Sequence, residues 1–560
     1  MADTFAERAR RSCGPDGRGA LLLPAALLAV AVLAAPGEAQ SAPDTTTTLE
    51  PTGLPLYENL GPLTRPITTS SPLAQAYFDQ GVALTYGFAH GEGVRSFREA
   101  RAHDPSCASC AWGEAWALGS HINGRMRPNA IPAADAAISR ALELAEAGDP
   151  ALSPVEEALI RALRVRYAPT AEAEQAAGGR AALDSAYVRA MEEVAARFPD
   201  DLEVLTLLGE AHMVLRPWSY WAPDGSPEPG VERALEVLEH ALSIDLAHPG
   251  ACHLYIHLVE ASPAPERAAP CAELLEDGIP GVSHIPHMPS HVFMRIGRYG
   301  DAVRGNQRAW VADQRAAHGG APGVYTSHNL HMLTFAASFD GQAAVAIQAA
   351  RDLAGVAAGS SFYLPLAFVR FGRWDEILEL PVDEGNPFRA GVHHFAQGLA
   401  RLRTDDPEQA RSELATLDAR RDELPGNARF RGHLQRDLLG IARGILAGEI
   451  LAAGGELDAA VEAMNEALAL ELALAYDEPE PWTIPVRHFL GAILLEGERP
   501  AAAEEAYRGS LEVHPENGWA LTGLALALRA QGRSAEADEA EAAALEAFRR
   551  ADTWVPASRF

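Results

Sequence analysis

The chain has 560 residues, 48% hydrophobic and 22% charged, and carries a formal net charge of −30 at pH 7. That composition describes a globular protein long enough for several domains or one long solenoid, and the negative charge argues against nucleic acid and anionic membranes as partners. All 46 basic residues are Arg, so the absence of lysine excludes Schiff-base, Ser–Lys and P-loop chemistry.

Residues 1–39 read as a secretory signal peptide. Arg8, Arg10 and Arg11 precede an apolar run from Ala20 to Ala35, and small residues place cleavage after Ala39. The alternative is an uncleaved membrane anchor, but the run is shorter than the ~20 residues that span a bilayer. The mature chain is therefore expected to be periplasmic or secreted, with no membrane insertion. Cys107, Cys110, Cys252 and Cys271 survive cleavage; they are expected to be buried thiols or a local disulfide rather than a zinc or redox motif. Residues 40–70, rich in Pro and Thr, are expected to be a linker and lead-in segment.

Residues 71–550 are periodic, with 551–560 left as a C-terminal tail. Gly81, Gly93, Phe97, Ala100 and Pro105 repeat the offsets of Gly491, Ala503, Tyr507, Ser510 and Pro515. Gly523, Ala535 and Ala542 continue the series. The pattern resembles the tetratricopeptide repeat, a helix–turn–helix of ~34 residues in which small residues let helices approach and an aromatic fills the gap. Ala and Leu are abundant and β-branched residues few, which also favours helix. The expected fold is all-α, a tetratricopeptide-repeat-like solenoid of about eleven or twelve helical hairpins.

Seven of the 19 histidines crowd its middle: His253, His257, His284, His287, His291, His328 and His331. Spacings of three and four place the members of each group on one helical face. In the repeat register Ala302 is the small residue of a second helix, which puts His284, His287 and His291 on the groove side of the first. Gly341 does the same for His328 and His331, and Ala268 for His253, His257 and Glu260. Pro286 and Pro289 weaken this register, because a proline inside a helix delays or kinks it. His212, His393 and His394 fall off the groove, while His90 and His121 lie near turns and are left undecided.

Unpaired, so many close imidazoles would repel whenever protonated; a transition-metal ion removes that problem. Many imidazoles and few carboxylates argue against Mg²⁺ and Ca²⁺ and leave copper or zinc, with iron as a third candidate. Seven candidates exceed one four-coordinate site, so either some only support the ligands or two ions bind. Glu260 is expected to orient a ligand imidazole or act as a base. The alternative is a groove that binds an anionic or aromatic ligand, or a peptide or protein segment, without metal. Pro481, Trp482, Pro485 and Arg487, ahead of His488, which is expected to face the groove, would form a ligand wall or simply start a helix.

The runs Cys252-His253-Leu254-Tyr255-Ile256-His257, His287-Met288-Pro289-Ser290-His291 and His328-Asn329-Leu330-His331 resemble a family of secreted bacterial tetratricopeptide-repeat proteins with a His-rich centre. Tyr86-Gly87-Phe88-Ala89-His90, Trp112-Gly113-Glu114-Ala115 and Pro515-Glu516-Asn517-Gly518-Trp519 extend the resemblance over most of the chain. It implies the fold and the site and carries no reaction with it. A metalloprotein, enzymatic or not, and a non-catalytic scaffold both stay open.

Overall fold

The computed structural model describes residues 50–560; the expected signal peptide and the start of the lead-in segment lie outside them. The described chain is an all-α, tetratricopeptide-repeat-like solenoid. Its helices run in antiparallel pairs from Pro72 to Ala547, relieved by one short ribbon pairing Arg429–Phe430 with His433–Leu434. No helix among the described residues is long and apolar enough to cross a membrane.

The repeat positions act through close packing. A Cβ on Gly81 would lie 2.7 Å from the Phe97 ring, and one on Gly113 would lie 2.5 Å from it. Phe97 is thus clasped between glycines of two successive first helices. Tyr507 sits the same way between Gly491 and Gly523, where added Cβ atoms would come within 2.4 and 2.2 Å of it. In the last unit the buried small residues are Ala537, Ala540 and Ala544, while Ala535 and Ala542, the positions marked by the repeat, are exposed. The register shifts because the helix Gly518–Ala530 runs further past Gly523 than Val486–Glu496 runs past Gly491.

Residues 50–70 form an ordered strap. The Glu99 carboxylate accepts hydrogen bonds from the Thr52 and Gly53 N–H groups, and Glu156 from the Thr68 N–H at 2.7 Å. Disulfides join Cys107 to Cys110 and Cys252 to Cys271. The second ties the helix Pro249–Val259 to Ala269–Leu275.

The solenoid closes on itself. Trp519 Nε1–H donates to the Ser338 carbonyl at 2.9 Å, Tyr299 O–H to the Pro515 carbonyl at 2.8 Å, and Arg550 pairs with Asp340 at 2.9 Å. Asp552 accepts from the Ala343 and Ala344 N–H groups, and Ser558 O–H donates to the His488 carbonyl at 2.7 Å, so the last ten residues are part of this closure. As a result the central histidines do not line an open groove. Six of the seven are at most 3% exposed and His328 is partly buried.

Candidate metal centre

Four stretches supply the site. The helix Pro249–Val259 carries His253 and His257, one turn apart, and ends on Glu260. Pro286 and Pro289 divide the next stretch into two short helices, His284–His287 and Pro289–Arg295, but Met288 between them keeps helical angles. The three histidines of that stretch therefore stay on one face. The helix Thr326–Phe339 brings His328. The connection after the helix Leu457–Leu472 crosses the site and adds Tyr476 and Glu478.

The imidazoles form two groups of three. His253, His257 and His284 make one and His287, His291 and His328 the other; within each, one ligand atom per residue lies within 4.8 Å of the others. The Nε2 atoms of His253 and His284 are 3.1 Å apart, those of His287 and His291 2.7 Å, and those of His291 and His328 3.4 Å.

The opposite ring nitrogens decide what those Nε2 atoms are. His253 Nδ1 lies 2.6 Å from the Tyr86 carbonyl oxygen, and His257 Nδ1 2.8 Å from Glu260. His291 Nδ1 lies 2.6 Å from Glu260 and 2.7 Å from Glu478. His287 Nδ1 lies 2.6 Å from Asn306 Oδ1, whose amide nitrogen is committed to the Ala302 carbonyl at 2.8 Å. Carbonyl and carboxylate oxygens only accept, so each Nδ1 must carry the hydrogen. In a neutral ring Nε2 is then a bare lone pair. Lone pairs facing one another at such distances repel, and a cation between them reverses the sign. Ligands on one ion with bonds of about 2.0–2.1 Å sit roughly 3–3.5 Å apart, so 3.1 and 3.4 Å fit and 2.7 Å needs a small opening.

The electrostatics separate the two groups. Burial pushes His257 down to about 3. Burial and then neighbouring imidazoles hold His253 and His284 well below the usual histidine value. That triad is wholly neutral at pH 7, and His257 Nε2 is buried without a partner. In the other triad burial opposes a charge on His291, but Glu260 and Glu478 overcome it and raise the ring to about 10. Burial and the neighbouring Glu260 lift Glu478 to about 8. A proton on His291 can therefore bridge to His287; in the first triad His284 Nδ1 is buried without a partner, so its hydrogen can lie on Nε2 and bridge to His253, which leaves His257 Nε2 unmet. Both donor sets fit a transition-metal ion, since their ring nitrogens converge and Nδ1 partners fix the tautomers of His253, His257, His287 and His291.

His331 is not in either triad. Its ring lies 4.2 Å from that of Tyr363, and its Nε2 is buried without a partner. Three residues on from His328 it is about 4.5 Å along the axis and about 60° around it, which turns it away from the shared face. Glu260 sits between the triads and joins them through His257 and His291. His212 pairs with Glu192 at 2.9 Å and His394 with Glu413 at 2.6 Å, away from the centre. His488 is fully buried against Arg370, Ser510 and Asn517 and faces no groove.

Several participants carried no signal as ligands. Phe88, held at φ 60°, wedges its ring 4.3 Å from His253 and 5.2 Å from His284. On its other side His90 and His121 stack at 3.9 Å. Trp218 meets His257 edge-on at 5.1 Å, and the Tyr476 hydroxyl donates to Glu260 at 3.0 Å. Phe88 and His90 lay within a run already marked by its resemblance to other proteins, and His90 and His121 had been left undecided.

No family model matches the chain, and no curated protein does. Similar solved structures include a human IFIT1 dimer with PPP-AAAA, 11% identical over 86% of this chain and 92% of that one, at a TM-score of 0.29. The Cut9–Hcn1 hetero-tetramer of the APC/C is 12% identical over 86% of this chain and 90% of that one, at a TM-score of 0.26. Nothing about this site follows from scores of that size.

Proposed function

We infer that this chain is an extracytoplasmic metalloprotein holding two transition-metal ions. One is ligated by the Nε2 atoms of His253, His257 and His284, the other by those of His287, His291 and His328. The observation that carries this reading is the first triad: three buried neutral imidazoles bring ring nitrogens within 4.8 Å of one another, the Nδ1 partners of His253 and His257 leave their Nε2 atoms as lone pairs, and His257 Nε2 meets no donor. Buried polar atoms are normally paired, and an unmet one costs about 1–3 kcal/mol.

Each ion would have three nitrogen ligands and a free position, the arrangement of a reactive rather than a closed structural site. Copper suits the set best, with zinc next and iron third. Glu260 is buried and Glu478 partly so; ionised beside bound cations, these two carboxylates would balance two monovalent copper ions, whereas two divalent ions would leave net positive charge in a largely enclosed site. Bound ions of this kind activate water or dioxygen at the free position. In that setting Glu260 holds two ligand rings in place, and Glu478 and Tyr476 close the site over it. The paired cysteines support a periplasmic or secreted location, because disulfides persist in oxidising compartments.

The test is the metal content of the purified chain after reconstitution with Cu(I), Zn²⁺ and Fe²⁺ in turn. His253→Ala should leave one ion, and so should His287→Ala. Full occupancy in either variant would break the division of the six ligands into these two triads. Absence of metal from the wild type would favour the scaffold reading.

A further inference from the structure

Beside the first triad lies a cavity of about 1000 Å³, walled by residues 218–223 and 472–478, with His257 and Glu260 on its floor. Such a volume accommodates a small organic ligand. Its walls are unusually aromatic. Trp218 and Tyr476 are 42% and 44% exposed, the indole of the former touching His257 and the hydroxyl of the latter touching Glu260. Large exposed rings are costly to leave in water and are common where a ring-bearing ligand stacks. Trp218 also sits at φ 63°, a backbone conformation that non-glycine residues hold only under constraint. Trp221 is pinned by its N–H donating to the Leu258 carbonyl at 2.7 Å, so this wall is rigid.

The polar groups narrow the ligand further. The Glu260 and Glu478 carboxyl groups receive His257, His291 and Tyr476 as donors and share the hydrogen that burial and Glu260 keep on Glu478, which is still fewer donors than their four oxygens can accept. The surplus calls for a hydrogen-bond donor. Tyr220, also lining the cavity, is 3% exposed and its hydroxyl has no partner; it calls for an acceptor. One group that both donates and accepts, carried on a flat ring, is an aromatic hydroxyl.

We propose that this cavity is the ligand chamber of the metal centre and takes phenols. Its role as a substrate chamber rests on the metal reading above, but occupancy by a phenol can be measured with or without metal. The probes are p-cresol, 4-methylanisole (ring and acceptor, no donor), p-xylene (ring alone) and 4-methylcyclohexanol (hydroxyl, no aromatic ring). Each is titrated by calorimetry into the full mature chain, metal-free and reconstituted, with metal content measured in parallel. p-Cresol should bind at least about tenfold more tightly than each of the other three, the loss expected when a buried polar group goes unmet. Trp218→Ala and Tyr220→Phe should each weaken p-cresol by about five- to tenfold. Equal binding of p-cresol and 4-methylanisole would overturn the proposal, and so would a Trp218→Ala chain that binds p-cresol as the wild type does. A p-cresol preference in a chain that takes up no metal would uphold the chamber and refute only the metal reading.

Discussion

Glu260→Gln separates the two triads by hydrogen-bond arithmetic. Glu260 is fully buried and accepts three donors: His257 Nδ1–H on one oxygen, His291 Nδ1–H and the Tyr476 hydroxyl on the other. A glutamine supplies one oxygen and one NH₂. With its oxygen toward His291 and Tyr476, it satisfies two donors and sets its NH₂ against His257 Nδ1–H. The reverse orientation opposes two donors, so the first is preferred. His257 then does best by moving its hydrogen to Nε2, which removes the lone pair it offers the first triad. Loss of an orienting partner of this kind weakens metal binding about 10–100-fold, or about 1.4–2.7 kcal/mol. The second triad keeps the Glu478 contact to His291 and should weaken far less. Competition with a chromophoric chelator resolves the two affinities. Two unchanged affinities, or a larger loss at His287, His291 and His328, would refute the assignment of Glu260 as the holder of His257.

Metal uptake should depend on pH in one triad only. His291 keeps a proton up to about 10 in the metal-free chain, so ions entering the second triad must displace it; apparent affinity should rise about tenfold per pH unit toward that value. In the first triad His257 is neutral above about 3 and its partners lie low as well, so affinity should be flat through neutral pH. Proton release, measured by calorimetry in two buffers, should accompany filling of the second triad; release on filling the first would reverse these protonation states. His328→Ala should lose one ion and His331→Ala none, checked by metal analysis. Phe97→Ala should destabilise the first repeats by about 3–5 kcal/mol in urea titration, because the ring is clasped by Gly81 and Gly113 and leaves a cavity. Opening the Cys252–Cys271 disulfide, which closes a loop of 19 residues, should lower stability by about 3 kcal/mol and loosen the helix that carries His253 and His257.

The parts of this molecule legible in the sequence are those fixed by local spacing. Gly81, Phe97 and Gly113, and Gly491, Tyr507 and Gly523, repeat because a ring must fit where a Cβ cannot. The histidines stood out because three- and four-residue steps put side chains on one helical face whatever the fold does elsewhere. His331 was the exception, since a step of three shares a face only in part, and Tyr363 was there to receive it. What spacing could not show was closure. Glu478 meets His291 across 187 residues, and Tyr476 meets Glu260 across 216, through a connection without periodicity. An open repeat would have left these histidines lining a groove; the returning chain buries them, and burial is what makes their protonation and pairing informative. The shift to Ala537 and Ala544 is a smaller case, set by one helix running further than its counterpart.

The most direct measurement is the number of metal ions per chain, by mass spectrometry on wild type, His284→Ala and His291→Ala after copper reconstitution. Two, one and one ions are expected, with His253 and His257 stranded in the first variant and His287 and His328 in the second. A wild-type chain that binds no stoichiometric copper, zinc or iron would contradict the metal centre outright.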